Sequence, residues 1–342
     1  MDAFPRLVNG AAMTTNGQDT LRVLDMHAVD RLLGMDEVTE AVTEAFVLHS
    51  RAQGRVFPVI REPLHTGGVF GIKAGDVASQ DLLGYKAAGF WPGNRQQGGE
   101  PHQATVMLFD PATGRPYCLL DGNAITTLRT GAAGGLGLAR LARPESASLA
   151  LFGAGVQAAI QLRFALRTLP HLKRVRYMTF DGKPDAAFEK RFDGQVDLRH
   201  AVDGDAAVAD SDVVITATPG AKVLFRAESV RPGTHVTAVG SDTKGKRELP
   251  EGLLPRARVY VDDAAQSRQI GELQWAPDTA CVEIGAVLDG AQAGRSEDPA
   301  EITVFDMTGI ALQDLTVARM LYRRASQEGV GTVIPWPWRS RG

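Results

Sequence analysis

The stretch Leu149-Ala150-Leu151-Phe152-Gly153-Ala154-Gly155-Val156-Gln157-Ala158 decides the fold. A short apolar run with the look of a buried strand passes straight into two glycines spaced GxG, and the residues after them carry helical periodicity. Strand, glycine turn and helix in that order make a seat for a dinucleotide pyrophosphate. The first glycine permits the tight turn, the second lets phosphate approach the backbone, and the helix N-terminus offers free N–H groups and the positive end of its dipole. Ala158 replaces the third glycine and is still small enough for the helix to lie on its strand. The competing reading is a tight turn with no ligand, and the surrounding residues weigh against it. The next strand, residues 175–180, ends at Asp181, whose carboxylate can accept hydrogen bonds from both hydroxyls of an adenosine ribose and would repel a 2′-phosphate. NAD(H) is favoured on that ground, with NADP(H) not excluded. The plainer alternative is that Asp181 only opens the Asp-Gly turn before Lys183-Pro184.

Working outward, strand-like runs at 148–152, 174–180, 213–216, 235–239, 259–261 and 302–305 alternate with helical runs at 157–168 and 186–192. That alternation predicts an α/β, Rossmann-type doubly wound parallel sheet. Upstream, Val29, Leu32, Leu33, Val38, Val42, Ala45 and Phe46 recur at helical spacing and predict a helical pair over 24–50. Runs at 56–60, 69–73, 84–90, 104–110 and 116–121 predict a five- or six-stranded antiparallel or mixed sheet. Residues 125–141 read as a Gly/Ala-rich helix built for close backbone packing, and a last helix at 309–327 leads back to the first domain. The expected division is an α+β substrate-binding and dimerisation domain at 21–134, completed by 320–342, and an NAD-binding domain at 135–319. Residues 1–20 lack periodicity and read as a poorly ordered leader, and 336–342 are given no role.

The chain has 342 residues, 44% hydrophobic and 23% charged, with 37 Lys+Arg against 40 Asp+Glu. So even a balance gives nucleic acid or an anionic membrane no general reason to bind. No apolar run reaches the roughly 18 to 20 residues of a membrane span. Cys118 and Cys281 stand far apart, with no CxxC or Cys/His cluster, so neither a zinc ribbon nor a disulfide framework is called for and no metal is expected. A small-molecule enzyme of the reducing cytoplasm fits this composition.

Several further segments accompany the glycine turn: Gly84-Tyr85-Lys86, Pro92-Gly93-Asn94, Asp121-Gly122-Asn123 running through Thr127-Leu128-Arg129-Thr130-Gly131-Ala132, Thr216-Ala217-Thr218, Gly240-Ser241-Asp242 leading to Gly245-Lys246 and Glu248-Leu249, and Thr308-Gly309-Ile310-Ala311 leading to Asp314-Leu315. In order and spacing, across residues 54–318, the chain resembles the ornithine cyclodeaminase and μ-crystallin family. That resemblance implies hydride transfer between nicotinamide and the α-carbon of an amino or imino acid, in a homodimer joined through the non-Rossmann domain.

Such chemistry needs a cationic clamp for the α-carboxylate and a proton relay at nitrogen. The planar fork of Arg129 suits bidentate carboxylate binding. The resemblance implies that Arg61, Lys86 and Arg129 surround the carboxylate, with Arg129 also approaching the cofactor. Asp242 follows the strand at 235–239, at the end that faces the ligand crevice in an open α/β sheet. It matches the family's catalytic aspartate, and burial is expected to raise its pKa toward neutrality. Lys86 is expected to share the proton handling, and Lys246 to steady the loop or the cofactor. Lys73, thirteen residues before Lys86, stands where ornithine-processing members present a Glu for the distal ammonium. A cation there would repel ornithine and attract a second carboxylate, unless Lys73 is simply exposed with no ligand. His102 is expected beside the substrate or the nicotinamide ribose. Around the cofactor the expected residues are Arg129, Thr130, Gly153, Gly155, Val156, Gln157, Asp181, Thr216, Thr218, Val239, Gly240, Ser241, Lys246 and Thr308.

The activity expected is an NAD(H)-dependent imine reductase or amino-acid dehydrogenase, with a dicarboxylic substrate such as iminosuccinate. Its rivals are a redox-neutral, ammonia-releasing ornithine cyclodeaminase and a non-catalytic NADH-dependent binding protein.

Overall fold

Two eight-stranded sheets organise residues 19–337, the part of the chain that the computed structural model describes. The leader expectation for 1–18 and the tail at 338–342 lie outside the described residues. The chain enters through β1 (Thr20–Leu24), α1 (Met26–Leu32), capped by the Asp25 carboxylate on Ala28 N–H at 2.9 Å, and α2 (Met35–Ser50). It then forms β2 (Arg55–Val56), β3 (Ile60–Pro63), β4 (Val69–Val77), β5 (Leu82–Phe90), β6 (His102–Phe109) and β7 (Pro116–Asp121). Strands β4 to β7 make an antiparallel meander, β1 pairs parallel to β7, and helix α3 (Asn123–Leu141) follows.

The second half alternates as its pattern predicts: β8 (Ser148–Phe152), α4 (Val156–Thr168), β9 (Arg174–Met178), α5 (Ala186–Arg191), β10 (Asp197–His200), α6 (Gly204–Ala209), β11 (Val213–Thr216), β12 (His235–Ala238), β13 (Arg258–Val261), α7 (Ala264–Ile270), β14 (Cys281–Glu283), α8 (Ile284–Leu288) and β15 (Thr303–Asp306). The spatial order is β10-β9-β8-β11-β12-β15-β13-β14, every pair parallel. Strand order reverses between β8 and β11, which opens a crevice beyond their C-terminal ends, and the glycine turn lies there. Helix α9 (Ala311–Glu328) and β16 (Thr332–Pro335) then return to the first sheet, where β16 pairs antiparallel with β1.

One apolar cluster runs through both halves. Leu312, Leu315 and Leu321 of α9 pack with Phe46 of α2 and Leu82, Val106 and Leu120 of the first sheet, and the same cluster includes Ile160, Phe164, Tyr260 and Phe305 of the second half. Helix α3 is the shared wall, and its small residues do what their composition implies. A Cβ at Gly131 would lie 2.6 Å from side-chain carbons of Ile160 and Phe164, and one at Gly137 would lie 2.5 Å from the Phe305 ring.

The structure corrects several expectations. Cuts at 134/135 and 319/320 fall inside the unbroken helices α3 and α9, because each helix packs on both sides of the cut. The first sheet has eight strands rather than five or six, since the partly exposed residues of β1 and β16 form no apolar run and the two strands are recognisable only through their pairing. Strand β9 stops at Met178, so Asp181 stands beyond the strand in a turn rather than at its end. The short elements β10, α6, α7, β14 and α8 carried no legible period.

Gly137→Val should lower unfolding stability by about 1–3 kcal/mol in urea denaturation, through overpacking against Phe305. Arg140→Ala, on the exposed end of the same helix, should stay within about 0.5 kcal/mol.

Candidate active site

At the crevice, Gly153 has φ +116, and a Cβ there would lie 2.7 Å from the Ala217 carbonyl, so only glycine fits. Its N–H donates to the Met178 carbonyl at 2.9 Å, which fixes the end of β9 beside the turn. Gly155 begins α4 with open space around it, no side chain caps the helix, and Val156 is exposed. The first-turn N–H groups of a thirteen-residue helix therefore face outward unsatisfied. Gln157 adds a buried amide oxygen with no partner. The glycine conformation and the uncapped first turn fit a dinucleotide pyrophosphate, whereas the Gln157 amide oxygen, an acceptor, needs a donor group and not a phosphate. The exposed Asp181 carboxylate accepts from Lys183 N–H at 3.2 Å, a bond that holds its pKa below the ordinary value, so the turn-opening role is realised. Thr216 ends β11 and Thr218 follows it, while Val239, Gly240 and Ser241 follow β12, its neighbour in the sheet. Val239 N–H donates to the Thr216 carbonyl at 2.8 Å. The Thr130 hydroxyl is satisfied within α3 by the Thr126 carbonyl at 2.7 Å, while the Thr130 carbonyl accepts from Gln161 at 2.8 Å and so joins α3 to α4.

The cations come from the first sheet. Lys73 and Lys86 are directly opposed across β4 and β5 and therefore leave the same face. Lys86 Nζ lies 2.8 Å from Asp314 Oδ2, an ion pair without the alignment of a hydrogen bond, and 3.4 Å from Thr126 Oγ1. Arg129 donates through Nε to Asp314 Oδ1 at 3.1 Å and through Nη1 to Gln313 Oε1 at 3.3 Å. All three charged groups are buried, Asp314 completely. Burial, and then the Arg129 guanidinium, push the Lys86 ammonium down to about 7, with Asp314 opposing. Burial pushes the Asp314 carboxyl up, but Arg129 and Lys86 outweigh it and hold it below the usual carboxylate range.

Lys73 is not an exposed cation. Its Nζ donates to the Thr308 carbonyl at 2.7 Å and the Gly309 carbonyl at 2.6 Å, just ahead of α9, and burial and Arg129 bring it to about 8. Thr308 is itself held by Asp262, whose Oδ1 accepts its hydroxyl at 2.7 Å and whose Oδ2 accepts the Gly309 N–H. Gln266 Nε2 donates to Thr308 Oγ1 at 2.6 Å.

Asp242 is where the sequence reading fails on sign. Its Oδ1 accepts from Lys246 Nζ at 2.9 Å and from the Thr243 hydroxyl at 3.1 Å, and its Oδ2 lies 3.4 Å from Arg61 of β3. Burial pushes this carboxyl up as expected, but Lys246, Arg61 and Lys73 together hold it well below the usual range. Asp242 is therefore held as an anion near neutral pH, and the lysines of this cluster, Lys86 brought down to about 7 and Lys73 to about 8, are the groups whose protonation lies near it. Lys246 also donates to the Gly240 carbonyl at 3.0 Å, which is the loop-steadying role expected of it. His102, at the start of β6, has Nδ1 3.2 Å from Asn123 Oδ1, and burial and then Lys86 bring it down to about 4, so it is neutral.

Arg61, Thr243 and Gln266 line a cleft of about 350 Å³ beside these groups. A hollow of about 530 Å³ at the outer edge of the second sheet, lined by Glu189, Lys190 and Arg199, contains none of them. Among the described residues, one separate group offers metal-ligand atom types: His49 Nε2 lies 3.2 Å from Asp263 Oδ2 and 3.7 Å from Glu283 Oε1. It is an ion pair that joins the end of α2 to the starts of α7 and α8.

The sequence reading missed Asp314, Asp262 and Glu248 as site residues. Asp262 follows β13 at its C-terminal end, the positional signal that singled out Asp242, whereas spacing says nothing about which cations Asp314 would meet.

A parallel sheet with an uncapped helix at its reversal, together with a buried cationic cluster on a second sheet, defines a dinucleotide-binding α/β protein. More narrowly, this chain belongs to the ornithine cyclodeaminase/mu-crystallin family, whose model matches residues 20–329. The iminosuccinate reductase of Paracoccus denitrificans is 37% identical over 314 residues, covering 89% of this chain and 96% of the relative. The structure of that reductase in complex with NAD+ has a TM-score of 0.82 at 35% identity, covering 92% of this chain and 99% of the other. An archaeal alanine dehydrogenase dimer with bound NAD has a TM-score of 0.85 at 32% identity, covering 93% and 100%. The Thermococcus litoralis Δ1-pyrroline-2-carboxylate reductase, in complex with NADH and L-proline, has a TM-score of 0.82 at 25% identity, covering 91% and 99%.

Asp314→Asn should cost about 3–5 kcal/mol of stability, because it leaves two buried cations without their shared anion. Lys86 would then sit even further below its unfolded value of 10.5. The part of the deficit due to Lys86 should shrink as pH rises through about 7, where the native lysine is already neutral. Urea titrations at pH 6 and pH 9 check this: a deficit that is no smaller at the higher pH would contradict it.

Proposed function

We propose that this chain is an NAD(H)-dependent imine reductase, in reverse an amino-acid dehydrogenase, acting on a small 2-imino acid with a second carboxylate, such as iminosuccinate going to aspartate. The observation that carries this reading is the convergence of Arg61, Lys73, Lys86 and Arg129 beside an ionised Asp242, with one of the lysines titrating at about 7. The broader class, an NAD(H)-dependent oxidoreductase of C=N or CH–NH2 groups, has the support of relatives that span nearly the whole chain.

Gly153, Gly155, Val156 and the backbone N–H of Gln157 would hold the pyrophosphate, Asp181 the adenosine ribose, and Thr216, Thr218, Val239, Gly240, Ser241 and Thr308 the remainder. NAD(H), when bound, supplies or accepts the hydride at the substrate α-carbon. Arg129 keeps one guanidinium nitrogen beyond its bonds to Asp314 and Gln313, and with Arg61 it can clamp the α-carboxylate. Protonated Lys86 holds the proton for the imine nitrogen, and Asp242 balances the iminium charge. Lys73 uses two of its three ammonium protons on backbone carbonyls and keeps one for the second carboxylate. A homodimer in a reducing compartment belongs to the same reading, supported by the dimeric alanine dehydrogenase and by two unpaired cysteines.

The test is NADH oxidation by the purified protein with ammonia and oxaloacetate, pyruvate, glyoxylate or Δ1-pyrroline-2-carboxylate, with ornithine and catalytic NAD assayed separately for ammonia release. Stoichiometric NADH consumption, greatest with oxaloacetate, is expected. Ammonia from ornithine without net NADH change would make the chain a cyclodeaminase, and NADH binding without turnover would make it a binding protein. Lys73→Glu should reduce the oxaloacetate-to-pyruvate ratio of kcat/KM by about tenfold or more.

With a preformed cyclic imine such as Δ1-pyrroline-2-carboxylate, whose supply does not depend on free ammonia, the reductive kcat/KM should fall by about tenfold per pH unit above about 7, as the proton leaves Lys86. A profile flat to pH 9 would remove Lys86 as the donor.

A further inference from the structure

Glu248 differs from Asp242 and Asp314 in having, among the described residues, no cation against its carboxylate. Its side chain is 0% exposed, and the partners of its carboxylate are neutral donors. Oε2 accepts the Thr216 hydroxyl at 2.7 Å and Gly240 N–H at 2.8 Å. Oε1 accepts Thr218 N–H at 2.8 Å and the Thr218 hydroxyl at 2.7 Å. The residue's own backbone is anchored as well, with its N–H on Glu272 Oε1 at 2.7 Å and its carbonyl accepting from Leu224 at 3.0 Å. Burying a carboxylate costs several kcal/mol unless its lone pairs are filled. Here they are filled by the end of β11 and the loop after it on one side and by the loop after β12 on the other. The approach is close enough that Gly240 has no room for a Cβ beside this carboxylate.

We infer that Glu248 is the positioning residue that ties the Thr216–Thr218 loop at the cofactor crevice to the Gly240 loop that carries Asp242, so that the cofactor seat and the catalytic anion are set by one carboxylate. The inference rests on the cofactor reading proposed above. It explains why a charged acid is kept where a neutral side chain would be cheaper to bury: only a carboxylate offers two acceptor oxygens and no donor. An amide of the same shape must turn its NH2 toward either the Gly240 or the Thr218 N–H, donor against donor. The threonine hydroxyls can rotate to accept from that NH2, whereas a backbone N–H cannot.

The test is Glu248→Gln, read by two methods. In the protein without added nucleotide, amide hydrogen exchange should speed up by at least about tenfold at Gly240 or Thr218 and stay unchanged in β8, because a lost backbone hydrogen bond exposes only its own amide. By fluorescence titration, the NADH Kd should rise about tenfold, the effect of roughly 1.4 kcal/mol of lost ordering. In turnover, kcat should fall together with the rise in KM for NADH, since Asp242 is displaced along with the cofactor loop. Thr218→Val, which removes one of the four bonds and keeps the shape, should give the same pattern at smaller amplitude and serves if Glu248→Gln does not fold. Unchanged exchange and unchanged Kd in both variants would overturn the inference. So would exchange that accelerates equally throughout the second sheet with NADH affinity retained, which is the signature of a merely structural residue. If the unsubstituted chain does not bind NADH, the cofactor reading itself fails. If it binds and the variants match it, only the role of Glu248 fails.

Discussion

Three charges that would each be prohibitive alone are buried together in Lys86, Arg129 and Asp314. They come from β5, α3 and α9, segments far apart in the chain, and the one aspartate must serve two cations. The arrangement is stable enough to exist because every charge has a partner, and it is unbalanced because the cations outnumber the anion. Burial first, and that residual positive field second, depress the ammonium pKa values, and the pocket is left short of negative charge. The carboxylate proposed as substrate would complete the electrostatics of the fold. Site chemistry and fold stability thus depend on one set of contacts, so the helix that returns from the second sheet belongs to the site as much as to the core.

The second constraint is steric. Helix α3 supplies Arg129 and also serves as the wall between the two sheets, and its glycines let Ile160, Phe164 and Phe305 approach its backbone. The same economy is visible at Lys73, whose ammonium is anchored on the carbonyls of Thr308 and Gly309, and those two residues are in turn held by Asp262 at the end of β13. The cationic cluster is therefore braced against the second half at two places.

What could be read from the sequence follows from how local each signal is. The glycine turn, the strand before it and the helix after it lie within one short stretch, and the structure keeps Gly153 in a conformation open only to glycine. The fully buried parallel strands were legible as apolar runs, but β1, β10, β14 and β16 were not, since their partly exposed residues form no such run and they reveal themselves only by the neighbour they pair with. Arg61, Lys86, Arg129 and Asp242 were named from motif context, and they do gather. The sign of the Asp242 shift was not legible: burial alone argues upward, and the downward result needs cations from β3, β4 and its own loop to converge. Lys73 was legible as a cation but not as one bonded to backbone carbonyls, because carbonyls leave no mark in a sequence. Asp314 and Glu248 stood in view as letters of a motif, with no indication of whom they would meet.

The pairing of β16 with β1 carries a consequence for how the molecule is made. The second sheet is drawn from one continuous stretch, residues 148–306. The first sheet cannot close until residues 332–335 exist to flank β1, nor can its buried lysine find Asp314 before α9 has been synthesised. On a ribosome moving from N- to C-terminus, the half begun first is therefore the half finished last. Its open edge and unpaired cation must wait through the synthesis of the entire nucleotide-binding half.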